Sequence, residues 1–264
     1  MSTAKRHHIL PESFQKLFSS DGAQKVWCAM RGKVFETNAV NVAVVGRHYD
    51  FAEDGETQTW LEGELSAREG MAIPLLKKLI ADGSLKTFNK VDREAITDFL
   101  KLCMMRFFEF VDVFDPTNND IALEEIRNLI RSHFEERGIQ PPEDVLSREF
   151  LLEAHQSAKK QAVIGPIPQT ADFLQNMHLS VVITKHSARF ISGEHVAAFF
   201  HGIAGSSAIL PVCPTLAIRW SQRKTSPIQA VDDARVRRVN EQIFRMSNYS
   251  IASEREELDR LNME

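Results

Sequence analysis

LSVVITKHSARFISGEHVAAFF, residues 179–200, is the stretch that decides the fold class. Its apolar and β-branched runs are short and are interrupted by polar residues, a pattern typical of strands. The character of the chain changes at Gly165-Pro166-Ile167-Pro168, where prolines cluster. We therefore predict a β-rich block after that break. The predicted strands are residues 179–185, 188–193, 196–200, 208–213 and 215–220.

Helical spacing of apolar residues dominates the chain on either side of this block. The predicted helices are residues 57–80, 92–114, 121–136 and 143–161 before it, and 231–247 and 251–261 after it. Pro74 is expected to bend the first helix, and Asp92 to cap the second. Near the start, two β-prone runs flank Arg31-Gly32 and predict a hairpin over residues 26–38.

Strands and helices that are segregated along the chain favour an α+β fold over alternating βαβ units. We expect a small N-terminal β-hairpin, a helical middle, a mixed or antiparallel β block and C-terminal helices. A single α+β domain over residues 1–264 is the preferred organisation. The proline-rich connections leave open a division into lobes 1–163 and 169–264.

The overall composition excludes several classes of protein. A net charge of −4 provides no global basic field to attract nucleic acid or an anionic membrane. The three cysteines, Cys28, Cys103 and Cys213, are too far apart in sequence for a CxxC metal or redox motif. We find no signal-peptide pattern and no apolar run long enough to span a bilayer, so we expect a cytoplasmic protein without a membrane partner.

A carboxylate interrupts the apolar stripe of the first helix. Glu69 lies between Leu65 and Leu76 on that stripe, and Glu62 lies seven residues earlier at its edge. A charged carboxylate in a core is costly unless it is paired or hydrogen-bonded. Arg106, within the apolar stripe of the second helix, offers a guanidinium suited to bidentate pairing. We predict a Glu69–Arg106 contact, either as a structural ion pair or as part of a functional cleft.

Three further polar features leave two interpretations open. His7-His8 is either a metal ligand or base, or a solvated and mobile N-terminus. Ser192-Gly193-Glu194-His195 is either a rigidly aimed acid and imidazole or a solvated hairpin turn. Arginines 235, 237 and 238 form either a solvated helix face or a contact to phosphates.

Several of these segments together resemble a mainly bacterial family of unknown function. RHHILPESFQKLF, residues 6–18, is similar to an opening His-His-x-x-Pro motif with a short aromatic-rich helix, and a hairpin with a Trp-Val-type strand follows. LEGELSAREGMAIPLLKKL, residues 61–79, repeats the family's two glutamates seven residues apart, at Glu62 and Glu69. Members also carry a strand followed by Ser-Asp-Asn-Pro, where this chain has Ser192-Gly193-Glu194-His195 with Glu194 in place of the Asp.

The resemblance covers about residues 6–250 and includes all the acids and bases named above. His8, Glu69, Arg106 and Glu194 are the candidate catalytic residues, and His7, His8, Glu62 and Glu69 are candidate ligands of a divalent metal. This set contains acids, histidine and arginine but no serine or cysteine nucleophile. We interpret it as a nuclease-like hydrolase that cleaves a phosphodiester by metal-assisted or general acid/base chemistry.

Such an enzyme would act on nucleic acid or a nucleotide, in a role such as bacterial conflict or phage defence. The alternative is a non-catalytic binding or regulatory module in which Glu69 and Arg106 form a structural pair. The two hypotheses differ in one respect that coordinates can test. The hydrolase needs its acids and bases to converge on one concave site.

Overall fold

The computed structural model describes most of the chain. The described residues are 6–19, 24–46, 51–53, 56–58, 60–107, 120–154, 174, 176–201 and 205–263, without the side chains of 6–7, 45–46, 51–53, 56–58, 60–62, 64, 105–107, 120–122, 125 and 129. Contacts between residues divide the chain into two compact units. The first comprises residues 1–49, 62–107 and 168–264, and the second comprises residues 50–61 and 108–167. The α+β fold class is confirmed, whereas the single-domain organisation stays a prediction.

A mixed five-stranded sheet forms the centre of the first unit. Its strands are β7 (His178–Thr184), β9 (Ala198–Phe200), β10 (Ser207–Cys213), β11 (Leu216–Ser221) and β12 (Ile228–Val231). The spatial order is β12-β7-β11-β10-β9, in which β12 pairs with β7 in parallel and the other pairs are antiparallel. The β-rich block predicted from the sequence is therefore confirmed, and β12 is a strand that the sequence analysis missed. The predicted strand over 188–193 is wrong in its extent, because only Ser192–Gly193 forms a strand and it belongs to another sheet.

A second, antiparallel sheet has four strands: β2 (Lys25–Met30), β3 (Lys33–Asn38), β8 (Ser192–Gly193) and β13 (Tyr249–Ala252). Their spatial order is β3-β2-β13-β8. The predicted hairpin is confirmed: Arg31 and Gly32 join β2 to β3 with φ of 52° and 73°. Positive φ at both central residues is the signature of a type I′ turn, whose twist suits a two-residue hairpin.

The end of the chain corrects one prediction. Residues 251–261 were expected to be a helix, but β13 occupies Tyr249–Ala252 before the last helix begins at Arg255. The sequence YSIA is aromatic and β-branched, and β13 pairs with both β2 and β8. The pairing of β13 inside the sheet therefore outweighs the helical spacing that its apolar residues share with the residues after it.

Two cores lie on opposite faces of the five-stranded sheet, as the two-residue period of a strand requires. Val181 and Ile218 face the core shared with helices α2 (Trp60–Asp82) and α3 (Lys90–Phe107). Their neighbours Val182 and Ala217 face the core shared with α5 (Asp233–Met246) and α6 (Arg255–Asn262). The buried Trp220 indole donates to Thr97 Oγ1 at 3.1 Å, which ties β11 to α3.

The helices of the first core agree in type with the predictions and differ in detail. Residues 57–58, predicted to begin the first helix, belong to the strand Glu56–Gln58, and residues 108–114 of the second predicted helix lie outside the described part of the chain. Pro74 lies inside α2, which continues to Asp82. The cap of α3 is Asn89 rather than Asp92. Asn89 Oδ1 accepts the Asp92 N–H at 2.9 Å, and Asp92 Oδ2 accepts the Asn89 N–H at 3.0 Å, which is a reciprocal capping box.

One buried amide fastens α5 to the chain before β8. Asn240 is 1% exposed. Its Nδ2 donates to Arg189 O at 2.7 Å, and its Oδ1 accepts the Ile191 N–H at 3.2 Å. The backbone of Arg189 and Ile191 lies outside the strands, so the Asn240 side chain supplies the hydrogen-bond partners that a sheet would otherwise provide.

The second unit contains a short hairpin and helical segments. Its hairpin pairs β5 (Phe51–Glu53) with β6 (Glu56–Gln58), and its main helix is α4 (Asp120–Glu135). Gly138, with φ of 67°, ends α4 as predicted, and the Ile139 N–H bonds back to Phe134 O at 3.0 Å. The fourth helix, predicted over 143–161, is helical at 148–154, and its later residues lie outside the described part of the chain.

Candidate functional site

The two N-terminal histidines belong to a strand. In β1 (Arg6–His8), His7 pairs with Val45 and His8 pairs with Val44 of the antiparallel strand β4 (Val44–Gly46). The following Ile9 N–H donates to Ala43 O at 2.9 Å. This pairing places the backbone of the segment in register with a neighbouring strand, whereas the mobility of the terminus and the role of its histidines stay predictions.

The His8 side chain is held by a neighbouring loop. Its Nε2 lies 3.2 Å from Val40 O, and since a carbonyl can only accept, Nε2 carries the proton. In the neutral ring, Nδ1 then carries the lone pair. The fully buried Gln15 braces this region, because its Nε2 donates to Leu10 O at 2.7 Å and to Val42 O at 3.3 Å.

Glu69 lies on α2 at the edge of the core. Four members of the predicted apolar stripe, Leu65, Ala72, Leu76 and Leu79, are fully buried. Glu69, on the same helix, is only partly buried and lines a cavity. Its carboxylate therefore reaches polar surroundings instead of lying within the apolar core as the helical wheel implied.

His8 and Glu69 line one cavity of about 400 Å³, which we call the N-terminal cavity. Its described lining residues are His8, Pro11, Glu12, Ser13, Lys16, Glu69 and Lys77. Lys16 and Glu12 form an ion pair of 2.6 Å at the i,i+4 spacing of a helix. The cavity thus combines two carboxylates, two ammonium groups and an imidazole, which are groups able to give and take protons and to offset charge.

The sequence analysis missed the lysines of this cavity. Lys16 follows the short helix α1 (Glu12–Gln15), one turn after Glu12. Lys77 lies about two turns after Glu69 on α2. Lysines at helix surfaces are so common that neither stands out until the fold brings them beside His8 and Glu69.

Three of the sequence-predicted side chains lie outside the described part of the structure. They are those of His7, Glu62 and Arg106. The Glu69–Arg106 contact and the roles assigned to Glu62 and His7 accordingly stay predictions. Among the described residues, no group of three or more His, Cys, Asp or Glu side chains is arranged to hold a metal ion.

Glu194 lies elsewhere in the fold. Its Oε2 accepts the Asn248 N–H at 2.9 Å, and its own N–H donates to Tyr249 O at 3.2 Å. Gly193 approaches the same segment so closely that an added Cβ would lie 2.9 Å from Tyr249 O. These contacts fasten the turn after β8 to the start of β13, and Glu194 is not among the described residues lining the N-terminal cavity.

Burial also shifts the pKa of two groups outside this cavity. Burial lowers the pKa of His195 to about 4, so its imidazole is neutral at physiological pH. Burial raises the pKa of Cys28 to about 11, so its thiol stays protonated and unreactive.

None of the helices in the described ranges combines the length and the apolar character needed to cross a bilayer.

Comparison with known proteins agrees with the resemblance noted in the sequence. No curated protein and no solved structure matches the chain significantly. A family model described as "Protein of unknown function (DUF4238)" matches residues 6–257, which include the N-terminal cavity. The chain therefore belongs to the DUF4238 family of proteins of unknown function.

Proposed function

We propose that this protein is a hydrolase that cleaves phosphodiester bonds by general acid/base catalysis in the N-terminal cavity. One observation carries the proposal: His8 and Glu69 come from distant parts of the sequence yet line the same cavity as Lys16 and Lys77. An acid, a base and cations around one concave space are what in-line attack of water on phosphorus requires.

The proton transfers follow from the two titratable groups. The Glu69 carboxylate accepts a proton from water as the water oxygen bonds to phosphorus. The bond from phosphorus to the leaving oxygen breaks, and that oxygen takes a proton from Nδ1 of the His8 imidazolium. Solvent then removes the proton from Glu69 and returns one to His8. The Nε2 hydrogen bond to Val40 O supports this role, because it orients the ring in either charge state.

The lysines supply the electrostatic part of the proposal. Lys77 offsets the negative charge that grows on the phosphoryl oxygens in the transition state. The charge of Lys16 is partly neutralised by Glu12 at 2.6 Å, so we assign the larger share to Lys77. Arg106 would add a guanidinium if its predicted position next to Glu69 holds.

The volume of the N-terminal cavity and the net charge of the protein both favour small substrates. A volume of about 400 Å³ lies in the range of small-molecule pockets, roughly 300–1,000 Å³. The net charge of −4 disfavours a long nucleic acid, whose affinity comes mainly from phosphate neutralisation. We therefore expect cyclic nucleotides or dinucleotides to be cleaved faster than long RNA or DNA.

Turnover measurements on the purified full chain test this proposal. The substrates are bis(p-nitrophenyl) phosphate, a cyclic mononucleotide, a dinucleotide, and RNA and DNA oligonucleotides. Each is assayed with Mg²⁺, with Mn²⁺ and with a chelator, so that metal-assisted and metal-free hydrolysis are separated. We expect cleavage of a small phosphodiester, with a bell-shaped pH dependence from one base and one acid.

Paired variants locate the activity. Glu69→Gln and His8→Ala should abolish most turnover, whereas Glu256→Gln and His186→Ala change exposed residues of the same types and should leave it unchanged. Circular dichroism confirms that each variant is folded. Cleavage of none of the substrates, or equal turnover in the site variants and their controls, would overturn the proposal in favour of a non-catalytic module.

A further inference from the structure

A second cavity in the first unit has more positive than negative side chains in its lining. We call it the arginine cleft, and its volume is about 450 Å³. Its described lining residues are Phe200, His201, Gly205, Ser207, Ile209, Arg219, Asp232, Ala234, Arg235, Arg238 and Val239. It shares none of these with the described lining of the N-terminal cavity, so the inference below does not rest on the proposed hydrolase activity.

Arg219 provides the deepest charge of the cleft. It lies on β11 directly opposite Ile209 of β10, on the sheet face that packs against α5. Its Nη1 donates to Gln229 Oε1 at 3.1 Å, whereas its buried Nε has no hydrogen-bond partner among the described residues. A partly buried guanidinium with one buried N–H that has no partner among the described residues is costly unless something else compensates its charge.

Arg235 and Arg238 extend the positive charge along the first turns of α5. Both are exposed, and neither forms an ion pair within the described part of the chain. Burial lowers the pKa of Arg219, and the positive charge of Arg235 lowers it further, so these two guanidinium groups repel each other. The fold therefore gathers like charges that would be more stable apart.

The one acid of this cleft offsets only part of the positive charge of its three arginines. Asp232 is the only carboxylate among its described lining residues, and its Oδ1 accepts the Arg235 backbone N–H at 3.0 Å as the N-cap of α5. That contact engages the carboxylate with the helix end rather than with a guanidinium. The cleft is left with a surplus of positive charge.

The walls of the cleft are ordered and partly apolar. Ser206 holds the rim, because its N–H donates to Gln222 Oε1 at 2.9 Å and its Oγ lies 2.8 Å from His201 Nδ1. Gly205, with φ of 92°, allows this approach, since a Cβ there would lie 2.5 Å from Gln222 Oε1. Phe200, Ile209 and Val239 add apolar surface beside the charges.

We propose that the arginine cleft binds a small phosphate monoester whose organic part packs against Phe200 and whose phosphate lies among Arg219, Arg235 and Arg238. A dianionic phosphate matches the charge of several guanidinium groups, and the exposed forks of Arg235 and Arg238 can each donate two hydrogen bonds to it. The apolar wall and the volume of about 450 Å³ suit a ligand the size of a nucleotide or sugar phosphate better than a free inorganic ion.

Isothermal titration calorimetry on the full chain tests this inference with five probes. They are AMP, glucose 6-phosphate, inorganic phosphate, adenosine and a short oligonucleotide without a terminal phosphate. We expect AMP or glucose 6-phosphate to bind at least tenfold more tightly than phosphate, and adenosine to bind weakest. The stronger of the first two identifies the organic part. Binding of adenosine as tight as that of the stronger monoester, tighter binding of the oligonucleotide, or no binding of any monoester would overturn the inference.

Substitutions on the exposed helix face locate the site without disturbing the core. Arg235→Gln and Arg238→Gln should each weaken monoester binding by about tenfold or more, as expected for loss of a charge-assisted hydrogen bond. Arg237→Gln is the matched control, because Arg237 is exposed on the same helix but does not line the cleft. An equal loss in the Arg237 variant would indicate a nonspecific charge effect and contradict the assignment. The hydrolysis assay reports on the N-terminal cavity and calorimetry reports on the arginine cleft. The proposed hydrolase activity and the proposed monoester binding can therefore fail independently of each other.

Discussion

The N-terminal cavity and the arginine cleft lie in the same compact unit and have similar volumes, about 400 and 450 Å³, but their charges differ. The N-terminal cavity mixes Glu12 and Glu69 with Lys16, Lys77 and His8, so acids and bases face one space. The cleft combines three arginines with one acid that already caps a helix. Mixed charge suits proton transfer on a bound substrate, whereas charge of one sign suits capture of an oppositely charged ligand.

A crossed experiment gives the largest expected effect and tests this division of roles directly. Glu69→Gln should lower phosphodiester turnover by about 10²- to 10⁴-fold, the usual contribution of a general acid or base, while leaving monoester binding intact. Arg238→Gln should weaken monoester binding and leave phosphodiester turnover unchanged. Steady-state kinetics and calorimetry on both variants measure the two responses. If either variant impairs both functions equally, the two cavities do not act separately.

The next largest effect tests the buried amide of Asn240, which fastens α5 to the 189–191 backbone. Asn240→Leu removes two hydrogen bonds to the 189–191 backbone and leaves buried groups unsatisfied, so the free energy of unfolding should fall by about 2–4 kcal/mol. Urea denaturation measures the change. Asn248→Ala, at an exposed side chain, should alter stability by less than about 0.5 kcal/mol. A loss for Asn240→Leu no greater than for this control would contradict the proposed structural role.

Acid provides a test of stability that involves neither cavity. Because the pKa of His195 is about 4 in the folded protein and 6.5 ordinarily, the unfolded chain binds a proton first as pH falls. The contribution of His195 to the free energy of unfolding is fully present above about pH 6.5. It declines by about 1–2 kcal/mol as the pH falls towards 4, after allowance for solvent screening.

Denaturant melts of the wild type and of His195→Gln at several pH values measure this decline. The variant should show a smaller loss of stability between pH 7 and pH 4, because its side chain does not titrate. Parallel pH curves for the two proteins would exclude His195 as a source of acid sensitivity.

The smallest expected effect concerns the ion pair at the rim of the N-terminal cavity. Glu12→Gln breaks the ion pair between Glu12 and Lys16. Because both side chains are partly exposed, the free energy of unfolding should fall by only about 0.2–0.5 kcal/mol. The cavity gains one net positive charge, which makes it more like the arginine cleft. Thermal melts check the stability, and calorimetry with inorganic phosphate checks whether anion binding rises. A stability loss above about 1 kcal/mol would show that the pair does more than join two exposed groups.

Much of the secondary structure could be predicted because it depends on neighbours in sequence. The Arg31-Gly32 hairpin, the apolar stripe of α2 and the stop of α4 at Gly138 all appear where local pattern and turn chemistry put them. The misses have a common cause. β13 is a strand because β2 and β8 lie on either side of it, and residues 6–8 form a strand because β4 pairs with them.

The candidate site divides in the same way. Sequence alone singled out His8 and Glu69, because two adjacent histidines and an acid on an apolar stripe depart from local pattern. It offered no reason to select Lys16 or Lys77, and it left arginines 235, 237 and 238 as one undivided set. Only the tertiary structure separates Arg237 from the two arginines that join Arg219 in the cleft. Periodicity follows from the geometry of one segment, whereas a cavity is formed by side chains from segments far apart in the chain, and their meeting is decided by how the whole core packs.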